Sequence, residues 1–241
     1  GESAKLLSPN KTVLMPDKDA DCPMAHMVDE YFIARLRKEY EDLCVVCYIN
    51  STAEIKTMSD VCVTSSNAKR IVEALPNKNI LFIPDQNLGK HIAELVPSKN
   101  FLFCNGYCPT HYRITPEDIL TAKEKHPGAP VLIHPECKPE CVELADYAGS
   151  TSGIIDYATN DQEHDEFIVV TEIGVIHEME KRNPGKKFYP ATDKLVCPNM
   201  KKNTLEKVRD CLKNNTNQVE LDEEFMEKAK KPLERMHELA K

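Results

Sequence analysis

The residues of this chain with the clearest chemical potential are the cysteines of three Cys-Pro dipeptides. Cys22-Pro23, Cys108-Pro109 and Cys197-Pro198 lie 86 and 89 residues apart. Thiolates are soft ligands suited to iron–sulfur clusters and zinc, but these cysteines lack the close spacing of zinc ribbons and ferredoxins. The near-constant interval predicts one site assembled from distant segments, in which three thiolates on a four-iron cube leave one iron open as a Lewis acid. The alternative is that they are small buried apolar residues.

A set of polar positions repeats at the same interval. Tyr48-x-Asn50 is followed by Asp60 and Thr64-Ser65-Ser66, and 86 positions later His134-x-Glu136 is followed by Asp146 and Ser150-Thr151-Ser152. Such recurrence is typical of duplicated modules. The His134 and Glu136 side chains could orient a substrate and move protons, and the hydroxyl-rich turns could bind a phosphate or carboxylate at a helix start. The alternative for these turns is helix capping.

The other seven cysteines carry weaker signals. Cys44 and Cys47 lie within an apolar strand, where core packing is favoured, and we expect Cys62, Cys104 and Cys211 to be buried as well. Cys137 and Cys141 could bind metal or form a disulfide, although packing is again favoured. His111, three residues after Cys108, is either a partner of that cysteine or a packing residue, and the sequence leaves both open.

Apolar β-branched runs alternate with amphipathic segments along the chain. The predicted strands are Thr12–Met15, Leu43–Ile49, Asn79–Pro84, Phe101–Phe103, Pro130–His134, Phe167–Val170 and Lys187–Tyr189. The predicted helices are Met24–Tyr40, Ala68–Leu75, Gly89–Leu95, Pro116–Lys125, Val175–Lys181, Thr204–Lys213 and Glu223–Leu239. This alternation with short connections indicates a parallel three-layer α/β fold, with functional groups at the carboxyl ends of the strands.

The overall composition restricts the class of partner. The net charge of -8 and the isoelectric point near 5.6 argue against a nucleic-acid surface. No apolar run approaches the length that spans a bilayer, and no signal peptide is recognised, so we expect a cytoplasmic protein. Ten cysteines in such a chain favour metal ligation or redox chemistry over a disulfide framework.

Taken together, the motifs resemble quinolinate synthase, an iron–sulfur enzyme family of de novo NAD biosynthesis. The matching strings span essentially all of the chain: Pro16-Asp17 through Cys22-Pro23-Met24-Ala25, Tyr48-Ile49-Asn50-Ser51-Thr52, Thr64-Ser65-Ser66-Asn67-Ala68, Pro84-Asp85-x-Asn87-Leu88-Gly89, Gly106-Tyr107-Cys108-Pro109, His134-Pro135-Glu136-Cys137, Gly149-Ser150-Thr151, Thr171-Glu172-Ile173-Gly174 and Cys197-x-Asn199-Met200-Lys201-Lys202-Asn203-Thr204-Leu205. The resemblance implies three pseudo-symmetric α/β modules around one [4Fe-4S] cluster. On this basis residues 28–108 would form the second module, residues 109–197 the third, and residues 1–27 with 198–241 the remnant of an incomplete first module.

The resemblance also implies the reaction and its site. Iminoaspartate and dihydroxyacetone phosphate would condense to quinolinate with loss of phosphate and two waters, and the enzyme that supplies iminoaspartate is a candidate partner. Cys22, Cys108 and Cys197 would ligate the cluster, with Glu136, His134 and Tyr48 as catalytic groups. The implied substrate-binding positions are Tyr48, Ile49, Asn50, Ser65, His134, Pro135, Glu136, Ser150 and Thr151.

Two expectations qualify this interpretation. Family members begin with a further segment that carries substrate-binding residues, so we expect residues 1–241 alone to have little synthase activity. From a different class, a non-catalytic iron–sulfur or zinc redox sensor is the alternative function. The polar repeat positions favour the enzyme, since a sensor has no need of a polar substrate pocket.

Overall fold

Two four-stranded parallel sheets form the framework of the computed structural model, which describes residues 1–241. In the first sheet the strands are β1 Leu43–Tyr48, β2 Val61–Val63, β3 Asn79–Ile83 and β4 Asn100–Phe103, in the order β2-β1-β3-β4. In the second they are β5 Val131–Ile133, β6 Tyr147–Ala148, β7 Glu166–Val170 and β8 Lys187–Pro190, in the order β6-β5-β7-β8. The two sheets therefore share one topology, as the repeated interval predicts.

Helices connect successive strands, as parallel pairing requires. They are α1 Glu2–Leu7, α2 Glu30–Glu39, α3 Ala53–Thr57, α4 Ala68–Ala74, α5 Gln86–Leu95, α6 Pro109–Tyr112, α7 Pro116–Lys125, α8 Pro139–Val142, α9 Thr151–Asn160, α10 Val175–Arg182, α11 Leu205–Asn214 and α12 Glu223–Leu239. Short 3₁₀ turns lie at Pro23–His26 and Met200–Lys202. No helix combines the length and apolar character needed to cross a membrane.

The second sheet shows why its strands are almost continuously apolar: helices cover both of its faces. Alternate residues Val131 and Ile133 pack in one cluster with side chains of α7 and α8. The intervening Leu132 packs in a separate cluster with side chains of α9 and α10. Period-two alternation of this kind is expected when both faces are buried. The α/β three-layer prediction is confirmed.

The first sheet is embedded in a larger core of 30 buried residues. All six residues of β1 are buried. The carboxyl-terminal helix α12 joins this core through Ala229, Leu233 and Met236. The division of the chain into module segments stays a prediction.

Two aspartates that are 86 residues apart, Asp60 and Asp146, have the same structural role in the two sheets. Asp60 Oδ2 accepts the Val45 N–H at 2.7 Å, and the Asp60 N–H donates to the Val45 carbonyl at 2.9 Å. Asp146 makes the equivalent pair with Val131, at 2.8 and 2.9 Å. Each aspartate directly precedes the edge strand of its sheet and thus joins that segment of the chain to the neighbouring central strand. These positions repeat because the sheet repeats.

Several sequence predictions of local structure were wrong. Thr12–Met15 forms no strand, since its segment makes only an isolated antiparallel bridge between Leu14 and Gln218. The predicted helix Met24–Tyr40 is interrupted after the 3₁₀ turn, and α2 begins at Glu30 because Asp29 caps it by accepting the Tyr31 N–H at 2.8 Å. The strands β2 and β6 were missed because two or three residues display no periodicity.

Candidate active site and metal centre

A cavity of about 730 Å³ lies where the carboxyl ends of the two sheets face each other. Tyr48 ends β1, and His134 directly follows β5, the equivalent strand of the second sheet. In each sheet the strand order reverses beside this central strand, which is the position where open α/β sheets bind ligands. The predicted site residues that line the cavity are Cys22, Tyr48, Asn50, Cys108, His134, Glu136, Thr151 and Cys197.

Four predicted substrate positions lie outside this lining. Ile49 is half-buried beside Tyr48, and Pro135 is buried between His134 and Glu136. Ser65 lies near the Tyr48 hydroxyl and favours the ionised form of that group.

Ser150 serves as the N-cap of α9, because its Oγ accepts the Gly153 N–H at 3.1 Å. This is the capping alternative that the sequence left open. Ser150 and Ser152 are joined by a hydroxyl contact of 3.1 Å, and the equivalent Thr64 and Ser66 by one of 2.9 Å. The repeated hydroxyls therefore have a local structural role, and their substrate contacts stay predictions.

The three Cys-Pro cysteines are the only cysteines that line the cavity, and each is half-buried. Cys22 immediately precedes the 3₁₀ turn, and Cys108 immediately precedes α6. In both cases the next two N–H groups past the proline lie within reach of the sulfur and favour the thiolate. Burial outweighs them: it raises the pKa of the Cys22 thiol and, with the charge of Glu136, raises that of Cys108 further. A bound metal would therefore be needed to keep these sulfurs deprotonated at neutral pH.

This donor set fits an iron–sulfur cluster. Three soft sulfur atoms share one cavity, and the remaining seven cysteines lie elsewhere as free thiols. Cys44, Cys47, Cys62, Cys104 and Cys211 are buried, as predicted, and so are Cys137 and Cys141. Cys137 and Cys141 therefore have the packing role that the sequence favoured.

Two carboxylates hold the segments that carry Cys108 and Cys197. Asp85 Oδ2 accepts the Cys108 N–H at 3.0 Å, and Glu172 Oε1 accepts the Cys197 N–H at 3.2 Å. Each carboxylate lies two residues past the third strand of its sheet, β3 or β7. Both residues lie in the strings that match the family, but the sequence alone indicated no role for them. Their separation of 87 residues, close to the Cys-Pro interval, is the signal that could have found them.

Glu172 is also the partner of Lys201, the first of the two lysines that follow Cys197. Its Oε2 accepts the Gly174 N–H at 2.8 Å, and Lys201 Nζ lies 2.9 Å from Oε1. Burial opposes ionisation, but Lys201 and the two backbone N–H groups hold the pKa of Glu172 below its usual range. Lys201 lines the cavity, whereas Lys202 donates to the Asp19 carbonyl at 2.6 Å and does not.

His111 is a partner of Cys108 and not merely a packing residue. Its Nδ1 lies 3.1 Å from Cys108 Sγ and 2.9 Å from Glu136 Oε2, and its Nε2 lies 3.0 Å from Thr171 Oγ1. His111 is 6% exposed and Glu136 is 4% exposed, so these contacts are shielded from water. One imidazole therefore connects a predicted metal ligand to a predicted catalytic carboxylate.

The acid–base groups of the cavity hold distinct protonation states. Burial opposes ionisation of Glu136, but His111, His134 and the Tyr48 hydroxyl together hold its pKa well below its usual range. Burial and the Glu136 charge raise the pKa of Tyr48 well above its usual value. Burial lowers the pKa of His134 to about 4. Near neutral pH the site therefore offers a carboxylate, a phenol and a neutral imidazole.

The neutral His134 has a defined orientation. Its Nδ1 accepts the Glu136 N–H at 3.3 Å, which places the ring proton on Nε2. From the first sheet, Asn87 Nδ2 donates to the Glu136 carbonyl at 3.1 Å and so joins α5 to this loop. A carboxylate flanked by two proton-bearing groups can take a proton from a substrate and return one.

Comparison with known proteins identifies the family. A family model described as quinolinate synthetase A protein matches residues 1–238. The quinolinate synthase of Clostridioides difficile is 54% identical over 240 residues, which cover 100% of this chain and 79% of that protein. That of Caldicellulosiruptor bescii is 52% identical over 238 residues, covering 99% of this chain and 78% of that protein. That of Methanoregula boonei is 45% identical over 235 residues, covering 98% and 77%. With this sequence match and a cavity lined by all three Cys-Pro cysteines, the chain belongs to the quinolinate synthase family.

Proposed function

We propose that this protein condenses iminoaspartate with dihydroxyacetone phosphate to form quinolinate, with loss of phosphate and two waters. Cys22, Cys108 and Cys197 would hold a [4Fe-4S] cluster in the cavity. The observation that carries the proposal is that these three cysteines share one cavity with the buried carboxyl group of Glu136. Small-molecule substrates follow from the family, and the polar cavity lining supports an enzyme over a redox sensor.

The bound cluster would supply a Lewis-acidic iron, because three cysteines leave one of its four irons without a protein ligand. The protein's own groups would move the protons. Glu136 would accept a proton from the bound substrate at its carboxylate, which His111 orients through Oε2. Tyr48 and the Nε2–H of His134 would donate to oxygen atoms that gain negative charge during condensation and dehydration.

The remaining predicted residues would position the substrates. Asn50 and Thr151 are exposed and line the cavity, so they can contact polar groups at its rim. Ser65 would contact the substrate together with Tyr48, whose hydroxyl it approaches. Ser150 would present the first turn of α9 to a carboxylate or phosphate. Ile49 and Pro135 would shape the strand ends from which Tyr48 and His134 extend.

Anaerobic reconstitution with iron and sulfide tests the cluster assignment directly. We expect about four irons and four sulfides per chain, and loss of the cluster absorption in Cys22→Ser, Cys108→Ser and Cys197→Ser. Cys211→Ala is the matched control, because Cys211 is buried outside the cavity and should leave the cluster unchanged. Formation of quinolinate from the two substrates then tests the reaction. A normal cluster in the three serine variants would refute the ligand assignment.

A further inference from the structure

We propose that Cys108, His111 and Glu136 form a binding site for a single divalent transition-metal ion, of which Zn²⁺ is the physiological candidate, in protein without an iron–sulfur cluster. The inference rests on the proposed function only in that Cys108 would serve both sites. Zinc and the cluster would then exclude each other.

The geometry of the three ligand atoms supports one small ion. Cys108 Sγ, His111 Nδ1 and a Glu136 carboxylate oxygen all lie within 4.8 Å of one another. Zinc bonds of about 2.0–2.3 Å place tetrahedral ligand atoms about 3.3–3.8 Å apart. The observed separations of 3.1 Å from Nδ1 to Sγ and 2.9 Å from Nδ1 to Oε2 are only a few tenths of an ångström shorter. Small side-chain rotations would therefore admit the ion.

The chemical types of the ligands also fit zinc better than they fit an iron–sulfur cube. Thiolate, imidazole and carboxylate are the three ligand types that zinc takes in proteins. Ferredoxin-type cubes are held by thiolates, and neither Cys22 nor Cys197 belongs to this group. All three side chains line the cavity, so a fourth coordination position would face its interior. Three protein ligands with one open position are typical of catalytic rather than structural zinc sites.

The surrounding residues hold the ligands in place before any ion binds. Thr171 Oγ1 lies 3.0 Å from His111 Nε2, which leaves Nδ1 directed at Cys108 and Glu136. Asn87 fixes the backbone of Glu136 through its carbonyl at 3.1 Å. A hydrogen-bonded partner on the second nitrogen of a histidine ligand is the usual arrangement at zinc sites. On binding, the Cys108 thiol would release one proton to solvent, the ring proton of His111 would move from Nδ1 to Nε2, where Thr171 Oγ1 can accept it, and the freed sulfur and Nδ1 would bond to the ion.

Cobalt is the probe for the experiment, because Co²⁺ substitutes for Zn²⁺ and has a visible spectrum. Chelator-treated, reduced, cluster-free protein would be titrated anaerobically with Co²⁺. We expect one ion per chain, with thiolate-to-cobalt charge-transfer bands and the intense d–d bands of a four-coordinate site. Zn²⁺ should displace the cobalt and abolish these bands.

Variants distinguish this site from the three-cysteine site. Cys22→Ser and Cys197→Ser should retain the cobalt spectrum, whereas Cys108→Ser and His111→Ala should lose it. Thr171→Val should weaken cobalt binding by about 10- to 100-fold, the usual effect of losing a residue that supports a metal ligand. This variant keeps all three ligands, and circular dichroism would verify that each variant is folded. Cobalt binding that requires Cys22 or Cys197, or that persists in His111→Ala, would overturn the proposal.

Competition with the cluster gives a second, independent test. One equivalent of Zn²⁺ added before reconstitution should lower the iron incorporated by the unaltered protein. Zinc should not lower the iron incorporated by Thr171→Val when the free Zn²⁺ concentration is kept below the dissociation constant of that variant. Reconstitution without zinc tests the proposed function separately, so failure of one proposal does not imply failure of the other. Equal iron incorporation with and without zinc in the unaltered protein would contradict mutual exclusion.

Discussion

Replacing Glu172 with glutamine tests whether the carboxylate that accepts the Cys197 N–H stabilises the proposed metal centre. Glu172 accepts two backbone N–H groups, from Cys197 at 3.2 Å and from Gly174 at 2.8 Å. Glutamine has one acceptor oxygen, so one of these N–H groups would face an amide NH₂ instead. A hydrogen bond to a charged group contributes about 1.5–3 kcal/mol.

The ion pair with Lys201 adds little to this figure. The Lys201 side chain is 45% exposed, so the pair contributes at most about 1 kcal/mol. The main loss is therefore the hydrogen bond, which contributes about 1.5–3 kcal/mol of free energy to ordering the segment that carries Cys197. Since 1.4 kcal/mol is a tenfold change, Cys197 should be held in its ligand position about 10- to 100-fold less favourably.

Release of iron to a chelator measures this effect. We expect reconstituted Glu172→Gln protein to lose its cluster absorption about 10- to 100-fold faster than the unaltered protein under anaerobic conditions. Glu178→Gln is the matched control, because Glu178 makes only a surface ion pair with Arg182 on α10. If the two glutamine variants release iron at the same rate, the proposed role of Glu172 is refuted. Urea unfolding of the cluster-free proteins separates a local effect from general destabilisation.

Three further predictions concern single side chains. Tyr48→Phe removes a hydroxyl that approaches Glu136, and quinolinate formation should fall by about 100-fold while urea unfolding is unchanged. Asp60→Ala and Asp146→Ala remove the side-chain acceptors of the Val45 and Val131 N–H groups, and each should lower the free energy of unfolding in urea by about 1–3 kcal/mol; a large effect of only one would contradict their equivalence. Although burial opposes ionisation of Asp118, its contacts with Lys194 and Thr115 hold its pKa below the unfolded value of about 3.9. Its stabilisation is therefore present above that value and lost as pH falls through the lower folded pKa, so Asp118→Asn should flatten the fall in thermal midpoint as the pH is lowered below about 4.

Secondary structure was predictable for many of the longer segments, although the ten-residue helix α9 was missed. Pro116–Lys125 and Glu223–Leu239 have the predicted bounds, because a cap or an amphipathic pattern marks their ends. Met24–Tyr40 failed because apolar spacing continued across the break that Asp29 caps. The strand β6 has two residues and is recognisable only from its partner β5.

For the candidate site, the sequence by itself determined which side chains could do chemistry and that they recur at one interval. Strand ends, cysteines followed by proline and the repeated aspartates are local features, so they could be recognised without knowing what they contact. Only the tertiary structure decided that His111 joins Cys108 to Glu136, that Thr171 fixes its ring, and that Glu172 supports Cys197. Glu172 and Cys197 are 25 positions apart in the sequence, and His111 and Thr171 are 60 positions apart. The physical reason is that a hydrogen bond depends on where two chain segments meet, and periodicity within either segment does not contain that information.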